Sequence, residues 1–437
     1  MTKSESAKTP LKKIETAKTL TVDLDAFHKT RPRQHQLSTF DVFAGAGGFS
    51  LGFSFAGYQP KAAIEYDAWA CDTLRENHPD MQIVQGDIRS IKDSELADLG
   101  RNTDILLGGP PCQGFSVANN SAGDPKDPRN SLFMEFLRAA DVCKPKAILM
   151  ENVPGLLRRN TASGGRVIDL ICSEFESIGY FPHLAVLHAK DFGVPQIRPR
   201  LFILGMSAEV SQPFPAKTHG VSASNLDTFF SEQLIPYTTI NDAISDLPEL
   251  RAREGAEEQP YTEDAKTELQ SLLRAGSTEI FNHKAMNHSK RIVERFASIA
   301  PGQSGKSAPV GLRAKCRSGN GELSGKDYDQ NNRRMRGDAP CHTIPASYYA
   351  NFVHPTQHRN FTAREGARLQ TFPDWYRFRG KPTLDPQVFL KREGRISEKH
   401  LCQYNQIGNA VPPLLAMKLG EHLLQLMGGV SAEGKGL

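Results

Sequence analysis

The chain has 437 residues, enough for two or three domains at roughly 150 residues each. Its hydrophobic fraction of 39% and charged fraction of 23% exclude a disordered chain, and the lack of any run of about 18 apolar residues excludes a membrane span. The net charge of +4 permits a polyanionic partner without demanding one, while seven cysteines with no Cys-x-x-Cys pair argue against a disulfide scaffold or zinc ribbon and fit a reducing cytoplasm.

Residues 1–37 read as a polar N-terminal extension. They are rich in Lys, Thr and Ser and lack the apolar core of a secretory signal. From Thr39 short apolar runs alternate with amphipathic stretches. Residues 40–43, 61–64, 81–84, 104–107, 147–150, 183–187 and 201–204 predict strands. Residues 49–56, 68–77, 131–142 and 166–178 predict helices. Such alternation specifies an α/β fold around a mostly parallel sheet. These sheets bind ligands beyond the carboxyl ends of their strands, so the loops there are where chemistry is expected.

Beyond Gly205 the rhythm breaks. Residues 221–270 hold eleven acids and three bases. Residues 284–336 reverse this, with twelve bases and four acids. The basic stretch is punctuated by Gly and Ser, as a surface laid along a phosphate backbone can be.

The first strand runs into Asp41-Val42-Phe43-Ala44-Gly45-Ala46-Gly47-Gly48-Phe49. Glycines there let a ligand approach the backbone, and the following helix offers free N–H groups. Ser50 stands where a dinucleotide fingerprint needs its last glycine, and no Walker lysine follows. Glu65 ends the second strand, where an acid takes ribose hydroxyls in such folds. Asp87 ends the third and is positioned to accept from an adenine amino group. Together they predict a nucleoside-cofactor site.

The fourth strand leads into Gly108-Gly109-Pro110-Pro111-Cys112-Gln113-Gly114-Phe115-Ser116. Two prolines stiffen the backbone before the cysteine, and Gly114 frees it afterwards. The fifth strand ends in Glu151-Asn152-Val153, and Gln196-Ile197-Arg198-Pro199-Arg200 precedes another strand. A cysteine, a carboxylate and guanidinium groups at neighbouring tips suggest covalent catalysis with an acid and an anion-side clamp.

In order along the chain, these motifs make it resemble the DNA cytosine-C5 methyltransferases of bacterial and phage restriction-modification systems. The resemblance extends through Asp127-Pro128-Arg129-Asn130-Ser131-Leu132-Phe133, residues 364–373 (Arg-Glu-Gly-Ala-Arg-Leu-Gln-Thr-Phe-Pro) and Gln406-Ile407-Gly408-Asn409-Ala410-Val411. It covers residues 41 to about 420. The extension and the stretch from Gly205 to about Arg336 depart from it, and that stretch is where family members differ in reading their target.

The resemblance implies a Rossmann-like, S-adenosylmethionine-dependent methyltransferase lobe with helices on both sheet faces, over residues 38–205 and completed by 403–430. A smaller irregular lobe, 206–402, would carry the target-recognition region at about 206–336. Cys112 is the implied nucleophile toward carbon 6 of cytosine. Glu151 would bind the ring at N3 and the amino group while carrying or sharing a proton, which implies a raised pKa. Arg198 and Arg200 would hold the pyrimidine carbonyl and the geometry of the site. S-adenosylmethionine is the implied cofactor, with S-adenosylhomocysteine as product and no metal. Phe43, Gly45, Gly47, Gly48, Glu65, Tyr66, Asp87, Ile88, Pro110, Leu132 and Asn409 are its expected contacts. Double-stranded DNA is the expected partner, with the target base flipped out. Gln113, Ser116, Arg333, Arg334 and Arg336 are the expected DNA contacts. A monomer is expected, in a bacterial cytoplasm, accompanied by a cognate restriction endonuclease. An RNA cytosine methyltransferase and a DNA-binding regulator on the same scaffold are the alternatives. The long charged variable region speaks against the first, and the intact Cys, Glu and Arg positions against the second.

Overall fold

The computed structural model describes Phe27 and residues 37–111, 131–161, 164–221, 234–314, 331–383 and 400–433. Eight strands and five helices build the first half: β1 (Ser38–Val42), α1 (Gly48–Phe55), β2 (Gln59–Glu65), α2 (Ala68–Asn77), β3 (Gln82–Gln85), α3 (Asp93–Leu99), β4 (Ile105–Gly108), α4 (Ser131–Cys143), β5 (Ala147–Asn152), α5 (Val167–Ser177), β6 (Phe181–His188), β7 (Gln196–Ile197) and β8 (Pro199–Met206). The seven predicted strands all form, as do the four predicted helices. α2 has the predicted bounds because Asp67 caps it, accepting from the Ala70 N–H at 3.0 Å.

Seven strands form one sheet in the order β3-β2-β1-β4-β5-β8-β6. The first five run parallel, and β8 lies antiparallel between β5 and β6. The chain winds outward from β1 to β3 and then returns to the other side of β1 at β4. That reversal is a topological switch point, where loops diverge and leave a crevice.

Alternation within the strands assigns the two faces. Phe40, Leu106, Ile148 and Ile203 pack against Leu96 of α3, Phe136 and Leu137 of α4, and Ile171 and Phe175 of α5. Ile105, Leu107, Leu149 and Phe202 face the other way, toward Phe49 and Phe53 of α1 and toward Leu415 and Leu419. The latter pair belongs to a long helix, Pro413–Glu433. It approaches α1 so closely that a Cβ on Gly52 would lie 2.3 Å from the Ala416 side chain.

This second core also takes in Ile240, Leu269, Ile280, Ile344, Phe361 and Phe372 from the region beyond Met206. There the helix Ala363–Leu369 starts in a capping box between Thr362 and Glu365. Its two arginines and the preceding Arg359 are buried. Arg368 bridges Asp246 and Asp374, Arg359 forks onto Glu365, and Arg364 donates to three carbonyls. Buried charge of this kind is held because each group has partners. Phe27, from the polar extension, is also buried. It stacks on Phe55 with ring centroids 4.1 Å apart, and its carbonyl accepts from the Trp375 indole at 2.8 Å. Among the described residues no helix is long and apolar enough to cross a membrane.

Candidate active site

One row of paired residues crosses the sheet: Val84, Ile64, Val42, Gly108, Met150 and Ile203. The next residue on each of four parallel strands is therefore Glu65, Phe43, Gly109 and Glu151. All four line a single cavity of about 670 Å³ at the switch point. Residues separated by up to 108 positions are thus gathered by register alone.

The cavity has two ends. One is lined by Gly45, Glu65, Tyr66, Gly86, Asp87, Ile88 and Arg89. The other is lined by Pro110, Pro111, Glu151, Arg198 and Arg200. Leu132 and Asn409 also line it, so nearly every expected cofactor residue does. Tyr66 is 75% exposed, which removes core packing as its explanation.

Gly47 is the exception among the expected cofactor contacts. It caps α1 in a left-handed conformation with φ 77°, and a Cβ there would meet Leu74 and the Tyr376 hydroxyl. It serves the turn and does not face the cavity. Gly48 lines the cavity, but a Cβ there would also lie 2.2 Å from the Val411 carbonyl oxygen. Gly45 differs from both: with φ 55°, its missing Cβ points into open space. The same holds for the space beside Gly86. Side chains at these two positions would fill the cavity, so glycine keeps room for a ligand.

Glu65 accepts from the Gly45 N–H at 2.7 Å and from the Asp67 N–H at 2.8 Å. Burial raises its pKa, and these two bonds offset part of the rise. Asp41, beneath the same loop, is wholly buried and accepts from the Ser50 hydroxyl at 2.6 Å. Burial pushes its pKa up to about 7, against the pull of Ser50. The Tyr376 hydroxyl donates to the Ala46 carbonyl at 2.6 Å and fixes the loop from behind.

At the other end, Arg200 Nε lies 2.7 Å from Glu151 Oε1. Asn152 donates to the Pro110 carbonyl at 3.1 Å and ties the proline loop to β5. The motif around Glu151 contained Asn152, but nothing in the sequence pointed to its partner. Cys112, Gln113 and Ser116 lie outside the described residues.

Arg198 departs from the ring-binding half of its expected role and keeps the half that holds the geometry of the site. It is fully buried and donates to the carbonyls of Ile344, Gly408 and Ala410. Burial and the neighbouring Arg200 push its pKa well below the usual arginine range. It braces the cavity wall, while Arg200 pairs with Glu151. Arg334 departs too. Its guanidinium is spent on the carbonyls of Phe296, Ile299, His354, Pro355 and Gln357, so it is not open to DNA. Arg333 donates to the Gly302 carbonyl at 2.7 Å. Arg336 is exposed and forks onto Asp338.

The sequence profile of the C-5 cytosine-specific DNA methylases matches residues 37–425. The chain is 43% identical over 389 residues to the type II methyltransferase M.DdeI of Desulfomicrobium norvegicum, covering 89% of this chain and 88% of that one. It is 34% identical over 397 residues to M1.HphI of Haemophilus parahaemolyticus, covering 89% and 87%. A crystal structure described as a prophage-encoded DNA modification methyltransferase of E. coli superposes with a TM-score of 0.65 at 26% identity, over 90% of this chain and 100% of that one. The S. pombe Dnmt2 methyltransferase, at 17% identity and a TM-score of 0.51, shares the fold. The chain is thus a DNA (cytosine-5-)-methyltransferase and belongs to the C-5 cytosine-specific DNA methylase family.

Proposed function

We propose that this enzyme methylates carbon 5 of a cytosine flipped out of a specific duplex DNA sequence, with Cys112 as the nucleophile. The observation that carries this reading is the register row that sets Glu151, paired with Arg200, beside Gly109 at the entry to the Cys112 loop.

S-adenosylmethionine, when bound, supplies a methyl group made electrophilic by its sulfonium. Phe43, Gly45, Gly48, Glu65, Tyr66, Asp87, Ile88, Pro110, Leu132 and Asn409 are the residues that would hold it. The open space at Gly45 and Gly86 fits a ligand that lies against the backbone. Asp87 would accept from its adenine amino group, and Glu65 would take its ribose hydroxyls.

The Cys112 thiolate adds to carbon 6 of the cytosine ring, and electron density moves to carbon 5, which becomes the nucleophile. Only the thiolate adds, so a cationic neighbourhood favours the step. Glu151 hydrogen-bonds N3 and the exocyclic amino group, stabilising the ring as charge develops there. Arg200 orients Glu151 and lies beside the position of the ring carbonyl. Carbon 5, once methylated, gives up its proton to a base, and the electron pair left behind expels Cys112 as the thiolate and restores the aromatic ring.

We further infer a catalytic lobe of residues 38–205, completed by 403–430, and a smaller lobe of 206–402 that reads the target. The sheet ending at Met206 and the return of Pro413–Glu433 onto α1 support this division. Arg333 and Arg336, with Gln113 and Ser116, remain the DNA contacts in this reading. We also infer a monomer acting in a bacterial cytoplasm, with a cognate restriction endonuclease as the functional partner that the type II relatives suggest.

The test is bisulfite sequencing of plasmid DNA from a methylation-free host expressing the chain, with Cys112→Ala as control. Protected cytosines within one short motif, absent from the control, are expected. Soluble wild-type protein that protects no cytosine would overturn the reading.

A further inference from the structure

Asp87 opens a single helical turn, Ile88–Ser90, after β3. Its Oδ1 accepts from the Arg89 backbone N–H at 3.0 Å, which ties the carboxylate to the turn. The Arg89 side chain then folds back onto the same group. Nε donates to Oδ1 and Oδ2 at 3.0 and 3.1 Å, and Nη2 donates to Oδ2 at 2.5 Å. A carboxylate offers about four lone-pair sites, and here one residue covers four contacts.

Both residues line the adenine end of the cavity, next to Tyr66 and Gly86. An amino group on adenine and a guanidinium are both planar N–H donors. They seek the same oxygens, so they compete. The backbone N–H holds Oδ1 from the turn, so Asp87 keeps one anchor when the guanidinium leaves. Glu135 favours the charged guanidinium from nearby, so a displaced Arg89 keeps an acidic neighbour.

We propose that Arg89 is an intramolecular latch that occupies Asp87 in the free enzyme and is displaced when the adenine of S-adenosylmethionine or S-adenosylhomocysteine binds. The inference rests on the assignment of Asp87 as the adenine contact. The latch lowers affinity for substrate and product alike, and so shortens the stay of the product. The pair is part-exposed, with side-chain accessibilities of 44% and 29%. Ion pairs so exposed hold weakly, so an effect of about two- to five-fold is expected.

The test is calorimetric titration of the full-length, DNA-free enzyme with S-adenosylhomocysteine. Arg89→Ala should bind about two- to five-fold more tightly than wild type at low salt. Wild-type affinity should rise toward that of the variant as salt screens the latch, while the variant stays level. Arg89→Lys, which keeps the charge without the fork, should lie between them. The analogue with hypoxanthine in place of adenine lacks the amino group and should gain nothing from Arg89→Ala. Equal or weaker binding by a folded Arg89→Ala overturns the latch, because a residue that stacks on the purine or supports the loop gives that sign. Wild-type binding by Asp87→Ala overturns the adenine assignment itself.

Discussion

Arg198 donates to the carbonyl of Gly408, 210 residues further along the chain, at 3.0 Å. The same guanidinium reaches the carbonyls of Ala410 and Ile344, at 2.9 and 3.1 Å. It thereby fixes both sides of Asn409 against the sheet. Arg198→Ala leaves three carbonyls without this donor and should cost about 3 kcal/mol or more. Arg198→Lys cannot reproduce a planar fork and should also destabilise. Denaturant unfolding measures both, and an unchanged midpoint for the lysine variant would remove the fork from the argument.

Gly45 and Gly48 separate in their roles. Gly48→Ala puts a methyl group against the Val411 carbonyl and should destabilise by about 2 kcal/mol. Gly45→Ala meets no atom, so its cost is the left-handed backbone, about 1 kcal/mol, and its methyl group occupies cavity space. Calorimetry should therefore show weakened S-adenosylmethionine binding for Gly45→Ala, with thermal unfolding less affected than for Gly48→Ala.

Asp41 makes stability depend on pH. Its pKa rises from 3.8 to about 7 on folding, so between those values the folded chain binds more protons than the unfolded one. Stability contributed at this site therefore falls as pH rises from about 4 to about 7, and the full penalty persists above. The upper bound is about 4 kcal/mol. Asp41→Asn lacks the ionisation. Its stability relative to wild type should improve between pH 5 and pH 8, and parallel pH profiles for the two proteins would contradict the assignment.

Arg334 and Arg336 should respond differently to alanine. Arg334→Ala strips five carbonyls of their donor and should lower the unfolding midpoint. Arg336→Ala breaks an exposed pair and should change stability by less than about 0.5 kcal/mol. If Arg336 contacts a phosphate, its loss should also reduce the salt slope of DNA binding by about 1.

Phe27 ties the polar extension to the core. Phe27→Ala empties a buried site between Phe55 and Trp375 and should cost about 3 kcal/mol. Wild-type unfolding in that variant would show that the anchor is dispensable.

Much of this was legible in the sequence, for local reasons. α2 announced itself through a helical apolar period, and the strands through short apolar runs. The tips carrying Glu65, Asp87 and Glu151 followed from the alternation of elements, because a parallel sheet brings its carboxyl ends together. α3 escaped notice because Asp93–Leu99 carries three acids and little apolar signal. Phe27 escaped because one aromatic residue in a polar segment has no period. Arg198 as a ring contact and Arg334 as a DNA contact were misjudged for a shared reason. An arginine in a motif looks like a ligand contact, and only tertiary structure shows that its donors are spent on carbonyls from distant segments.

The wall formed by residues 401–411 has a consequence in time as well as in space. Glycine loop and closing wall are made more than 350 residues apart, at about 5–20 residues per second during synthesis. A nascent chain that already displays its sheet still lacks the last side of the pocket. Methylation competence therefore arrives late in translation and all at once, and a ribosome stalled before Leu401 carries a chain without a complete site.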